Sequence, residues 1–222
     1  MTDFWEHPDR VEQFAERDPD HRLTGLVEEY GDPGSVRVLD LGCAGGRNTE
    51  LLAGRGFDVW ALDASAAMVE RTRARVGEVL GPKAASMRVV RGRMDDLSAW
   101  ADGAFGLVVA LGVHHSAASR AEWSRAVDET ARVLAPGGRL LFNQFTPEAD
   151  LTGGGVRPVP GEPGVYEGFP AGRVVLMTAA ELDAAWAERG LRPETPSETV
   201  RVELEKGRRV SVNALYRKAF HV

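Results

Sequence analysis

VRVLDLGCAGGRNTELL, residues 36–52, reads as a short apolar strand, a carboxylate, a glycine-rich turn and the start of a helix. Val36, Val38, Leu39 and Leu41 supply the β-branched and aliphatic run of a buried parallel strand. Gly42, Gly45 and Gly46 follow, and glycine lets the backbone bend sharply with no Cβ between main chain and ligand. In open α/β sheets, a tight turn at the carboxyl end of the first strand is a ligand site. A dinucleotide site requires G-x-G-x-x-G, and its second glycine is here Ala44. The phosphate-binding G-x-x-x-x-G-K-[ST] loop is absent too.

The remaining pattern is D-x-G-x-x-x-G, carried by Asp40, Gly42 and Gly46. It resembles the first motif of the class I S-adenosylmethionine-dependent methyltransferases. The next segment, FDVWALDAS, ends a second apolar strand at Asp63, about 20 residues past the turn, where a carboxylate can accept hydrogen bonds from ribose hydroxyls. Ser65 can cap the following helix, which runs to about Val79, and Asp63 or Ser65 could equally serve as a cap alone. Further on, ARVLAPGGRLLF resembles the fifth-strand approach of the same family, with Pro136, Gly137 and Gly138 as a turn between helix and strand. These resemblances cover roughly residues 36–145.

The resemblance implies a Rossmann-like, doubly wound α/β fold, with a seven-stranded, mostly parallel sheet closed by a terminal antiparallel hairpin. It implies S-adenosyl-L-methionine as cofactor. The cofactor residues it implies are Asp40, Gly42, Ala44, Gly46, Asp63, Ala64, Met68, Met94, Asp95 and Leu111. Met68 is placed to pack on the adenine face, or else to fill the core. The third strand, within SMRVVRGRMDDLSAW, departs from the family: Arg93 stands where an acidic residue usually faces the adenine amino group. Asp95 could take over that contact with Met94 lining the ring, or Asp95 and Asp96 could cap a short helix. Phe105-Gly106 replaces the usual Phe-Asp at the start of the fourth strand. The GRNT after the glycine turn resembles the tellurite-resistance and thiopurine branch, on four residues only.

The chain has 222 residues, 43% hydrophobic and 27% charged, which is enough for one domain, 1–222, with a real core. No apolar stretch reaches the ~18 residues of a membrane span. Residues 1–20 are polar and acidic, unlike a signal peptide. The single cysteine, Cys43, excludes an intrachain disulfide framework and fits a reducing cytoplasm, where we expect the chain; it reads as small filler in the turn. The net charge of −6 argues against nucleic acid as partner. The segment after the fourth strand, LGVHH, lacks the Asn/Asp-Pro-Pro-aromatic tetrapeptide of base N-methyltransferases. No metal site is expected, because Ala110 and Leu111 occupy the place of the catechol-type aspartate. The oligomeric state is left open.

Residues 1–34 suggest two short amphipathic helices that would cap the cofactor, with Trp5 among the acceptor contacts. Residues 146–172 are rich in glycine and proline and too long for an ordinary connection, so they read as a lid or a passive insertion. Tyr166 and Phe169 are its expected acceptor contacts. A capping box, Thr178 with Glu181, opens a helix over about 179–189, and two strands follow around Lys206-Gly207. His115, or else His114, just after the fourth strand, is the candidate general base, since neutral imidazole can take a proton near neutral pH. The expected reaction is methyl transfer to the O, N or S atom of a small molecule. The alternatives are an RNA or protein methyltransferase of the same fold and a non-catalytic cofactor-binding partner.

Overall fold

A computed structural model describes residues 3–220. A 3-10 turn at Asp3–Trp5 leads into α1 (Pro8–Ala15) and α2 (His21–Val27). The alternating half follows as β1 (Arg37–Leu41), α3 (Arg47–Gly54), β2 (Asp58–Asp63), α4 (Ala66–Leu80), α5 (Pro82–Arg88) and β3 (Val89–Arg91). Next come β4 (Phe105–Leu111), a 3-10 turn at His114–Ser116, α6 (Arg120–Val133) and β5 (Leu134–Phe145). Three short strands, β6 (Arg157–Pro158), β7 (Val165–Phe169) and β8 (Gly172–Val175), precede α7 (Ala179–Ala187). The chain closes with β9 (Leu191–Pro193), β10 (Glu198–Leu204) and β11 (Gly207–Lys218).

The main sheet runs in the order β10-β11-β5-β4-β1-β2-β3, with β9 as an added strand on β11. β1 to β5 pair in parallel, whereas β11 is antiparallel to β5, β10 and β9. The expected doubly wound sheet with an antiparallel close is therefore present. β1 is buried on both faces from Val38 to Leu41, as a central parallel strand should be. One core cluster includes Leu39, Trp123, Phe142 and Trp186, and another includes Val38, Leu52, Phe57 and Leu141.

Three local expectations change. The third strand is shorter than its apolar run, because Pro82 opens a helix that consumes residues through Arg88. Pro136 to Gly138 lie within β5 as an irregularity, opposite a register shift between Phe105 and Leu107. Gly106 belongs to that irregularity: a Cβ on Gly138 would sit 3.1 Å from the Gly106 carbonyl oxygen, so the two backbones pass closely. Residues 146–172 are not a bare loop. β6, β7 and β8 form a separate antiparallel sheet, packed through Phe169 and Val174 on Ala149 and Val210.

The N-terminal segment is tied to the glycine turn and to α4. The Glu6 carboxylate accepts from the Ala66 and Ala67 amides at 2.9 and 3.0 Å, and Ser65 donates to the Trp5 carbonyl at 3.0 Å. Arg75 donates to the Ala15 carbonyl at 2.6 Å. No described helix is long and apolar enough to cross a membrane.

Candidate active site

A cavity of about 580 Å³ lies at the carboxyl ends of β1, β2 and β4. Its floor is the turn after β1. The Gly42 and Cys43 amides donate to the Leu62 carbonyl at 2.8 and 3.1 Å, which locks the turn onto β2. Ala44 adopts a left-handed conformation, φ +48°, which is uncommon for a residue with a Cβ. Its amide donates to Asp63 Oδ2 at 2.9 Å and its carbonyl accepts from Thr72 at 2.6 Å, so both ends of the strained residue are held.

Asp40 is buried below the turn and accepts from the Thr49 hydroxyl at 2.6 Å. Burial raises its pKa to about 6, against the opposing pull of that hydrogen bond and of Arg47. Burial also raises Asp63, partly offset by backbone hydrogen bonds from Ser65, Ala44 and Ala64. Asp63 takes two of these through its separate oxygens, from Ala44 and from Ser65, while Ser65 itself caps α4 on the Met68 amide. The carboxylate therefore orders both turns and still borders the cavity, with lone pairs to spare. Met68 and Met94 supply apolar wall, and Ala64 and Leu111 border the same space.

The model of the family described as methyltransferase domain matches residues 39–142. This span contains the whole floor of the cavity, from β1 to the middle of β5. The chain contains a class I S-adenosylmethionine-dependent methyltransferase domain. Solved structures agree on the fold. The PH0226 protein from Pyrococcus horikoshii OT3 is similar at 19% identity and TM-score 0.70, covering 98% of this chain and 99% of that one. A putative methyltransferase in complex with the Haloferax volcanii Trm112 methyltransferase activator is similar at 16% identity and TM-score 0.68, covering 99% and 97%. The Burkholderia thailandensis 1,6-didemethyltoxoflavin-N1-methyltransferase, with 1,6-didemethyltoxoflavin and S-adenosylhomocysteine bound, is similar at 18% identity and TM-score 0.61, covering 89% and 77%. A search of curated proteins gives no match.

S-adenosylmethionine is the cofactor of this methyltransferase domain. The residues present fit it: a carboxylate with spare acceptors, a turn of backbone amides and apolar walls from two methionines share one cavity. The structure brings Asp40, Gly42, Ala44, Asp63, Ala64, Met68, Met94, Leu111 and Trp5 to that cavity.

Other expected residues lie elsewhere. Gly46 caps α3 in a left-handed conformation against Thr72, outside the lining. Asp95 is held by Arg93 and Arg125 at 2.9 and 2.8 Å and does not line the cavity, so its carboxylate is committed to ion pairs. Burial pushes that carboxyl up, the two arginines pull it down, and the net shift is downward. Tyr166 and Phe169 do not reach the cavity. Phe169 points into the small apolar cluster beside Phe145, and the turn after it delivers Ala171, Gly172 and Arg173 instead.

The general-base expectation is corrected. His114 is fully buried between Phe142 and Trp186, with Nε2 3.1 Å from the Thr130 hydroxyl. His115 is buried against Phe145 and Phe169. Neither lines the cavity, and burial lowers their pKa values to about 4 and about 3. Burial keeps both imidazoles neutral among aromatic rings, outside the cavity lining. Cys43 is also buried, which pushes its thiol up and leaves it un-ionised.

The reason for Gly42 differs from the expected one. A Cβ there would meet the Val113 side chain at 2.8 Å, so the close neighbour is the loop after β4. Phe14, Arg47, Asn48, Val113, Ser116 and Glu122 line the cavity and were not anticipated. Arg47 and Asn48 stand directly after the glycine turn in the first turn of a helix, which was a usable signal. Among the described residues no group of three or more His, Cys, Asp or Glu could hold a metal ion.

Proposed function

We propose that the protein transfers the methyl group of S-adenosylmethionine to a small-molecule acceptor. The observation that carries this reading is that segments outside the sheet supply walls to the cavity. Beyond the turns that fit the cofactor, its walls are Trp5 and Phe14 from the N-terminal segment, Val113 and Ser116 after β4, and Ala171 to Arg173 from the β7–β8 turn. The whole cavity, about 580 Å³, falls in the range of pockets that hold small molecules. In this reading, residues 1–34 act as a cap and residues 146–172 as a roof. The Asp63 carboxylate accepts from the ribose hydroxyls, Met68 and Met94 flank the adenine, and Leu111 and the Ala44 turn bound the remainder.

When bound, the cofactor supplies an electrophilic methyl carbon on a sulfonium. The new bond forms from the acceptor atom as the carbon–sulfur bond breaks, and the acceptor proton passes to solvent. Among the described residues no histidine reaches the cavity, and the Glu122 carboxylate that does is engaged by Arg93 and by the Ala118 amide. The protein's contribution is therefore to hold acceptor and methyl in line and to exclude water. The acceptor must be nucleophilic without a protein base, as a thiol, an amine or an already acidic hydroxyl is. Mass spectrometry for co-purified ligands, then an acceptor screen read by S-adenosylhomocysteine release, tests this. Release with small molecules is expected; methylation confined to RNA or protein fractions contradicts it.

A further inference from the structure

The arginines of this chain are nearly all engaged, and the exceptions are not scattered. Among the described residues, the side chains of Arg17, Arg47, Arg192 and Arg209 alone among the arginines make no hydrogen bond or ion pair. Three of these four are neighbours, since Arg17 feels the charges of both Arg47 and Arg209. Arg47 lines the cavity directly. Arg17 stacks on the Phe14 ring at 4.1 Å, and Phe14 is itself a cavity wall. Arg209 lies on β11 just past the carboxyl end of β5, since Ser211 pairs with Phe145. Along β11 it alternates with buried Val210, on the same side as Leu215, which packs against the core beneath α2 and α3.

The Arg17 guanidinium is repelled by the other two. Burial lowers the pKa of Arg17, and repulsion from Arg47, Arg209 and Arg10 adds to it. Arg47 also sits at the N-terminus of α3, where the helix macrodipole disfavours a cation. Asp20 and Asp40 offset part of this charge at Arg47 without a direct ion pair to it. Asp20 is committed to Arg22 through both oxygens at 2.9 and 2.7 Å, and Asp40 is buried under Thr49. Such a grouping in a chain of net charge −6 costs folding stability. The cofactor brings a single carboxylate, enough to engage one of the three guanidiniums. A second anion would serve the other two.

We propose that the acceptor carries an anionic group, a carboxylate or a phosphate, and that Arg17 and Arg209, with Arg47, seat it at the cavity mouth. The inference rests on the small-molecule reading of the same cavity. Planar guanidiniums match both anions bidentately, so the pairing would also fix the acceptor's orientation toward the methyl.

The test titrates the S-adenosylhomocysteine-loaded protein with 4-hydroxybenzoate, phenyl phosphate and neutral 4-hydroxybenzamide. At least one anion should bind about tenfold or more tighter than the amide, the worth of a charge-assisted hydrogen bond. The Arg17→Gln, Arg209→Gln double variant should lose that preference while keeping its affinity for S-adenosylhomocysteine, which also reports that it is folded. Which anion wins separates carboxylate from phosphate. Anions that bind no tighter than the amide, or a preference that survives the double substitution, overturn the proposal. Lost S-adenosylhomocysteine affinity also overturns it, by assigning the arginines to the cofactor's own carboxylate. A parallel incubation with methyl-labelled cofactor reads the acceptor class separately: label in RNA or protein overturns the small-molecule reading even where the anion preference holds.

Discussion

Gly45→Ala adds a single methyl at the tightest contact between the N-terminal segment and the cofactor turn. A Cβ on Gly45 would stand 2.5 Å from Ala15 Cα, 2.6 Å from its nitrogen and 2.7 Å from its Cβ. These are mainly backbone atoms near the end of α1, so no side-chain rotation relieves the overlap. Restoring an ordinary contact of about 3.5 Å requires α1 to back away by about 1 Å. That movement pulls on the Arg75 bond to the Ala15 carbonyl and withdraws Phe14 from the cavity wall. Overpacking of this kind costs about 1–3 kcal/mol. Set against the docked cap, it corresponds to a loss of about 5–150-fold in its population. S-adenosylhomocysteine affinity should fall by a similar factor, and hydrogen exchange should rise across residues 3–16 while the sheet stays protected. Calorimetry and exchange mass spectrometry read both effects. Gly54→Ala is the control, because a Cβ there meets nothing within 4 Å. Wild-type affinity and unchanged exchange in Gly45→Ala would refute the claim that the cap closes on this turn.

Asp95→Asn should leave S-adenosylhomocysteine affinity unchanged, since Arg93 and Arg125 hold that carboxylate outside the cavity; a clear loss in a calorimetric titration would return it to the adenine site. Thr49→Val removes the hydroxyl that donates to buried Asp40 and should cost about 1–3 kcal/mol in urea unfolding, and a near-neutral result would show that Asp40 finds another donor. Between about pH 6 and pH 4 the unfolded chain protonates its histidines, with pKa about 6.5, while folded His114 and His115 stay neutral. Stability therefore falls as pH drops. Asp40 acts in the opposite sense, because the folded state takes its proton first, near pH 6. His115→Leu should make the acid-side slope shallower by up to about 1.4 kcal/mol per pH unit, one proton's worth, and unfolding curves with an unaltered slope would contradict its buried, neutral state.

The parts of the site legible in the sequence are those that one continuous strand–turn–helix carries. Asp40, Gly42, Ala44, Asp63 and Met68 follow from the order of two strands and their turns, with no knowledge of packing. What stayed hidden depends on partners remote in the chain. Asp95 looked available because Arg125 is thirty positions away on α6. His114 and His115 looked poised because they follow a strand end, yet the aromatic rings that bury them come from β5, β7 and α7. Phe169 was visible as an aromatic in a long connection, but strand alternation turned it inward and left the β7–β8 turn to face the cavity. Phe14 lies on one of the amphipathic N-terminal helices, and its ring serves as cavity wall.

The central claim is that the turn after β1 and the carboxylate ending β2 hold S-adenosylmethionine. A calorimetric titration with S-adenosylhomocysteine, run on the wild type, on Asp63→Ala and in competition with NAD, tests it most directly. The account predicts binding that NAD does not displace and that weakens by about 1–3 kcal/mol in Asp63→Ala, the scale of lost charge-assisted hydrogen bonds. Preferential binding of NAD, or undiminished affinity in a folded Asp63→Ala protein, would contradict it.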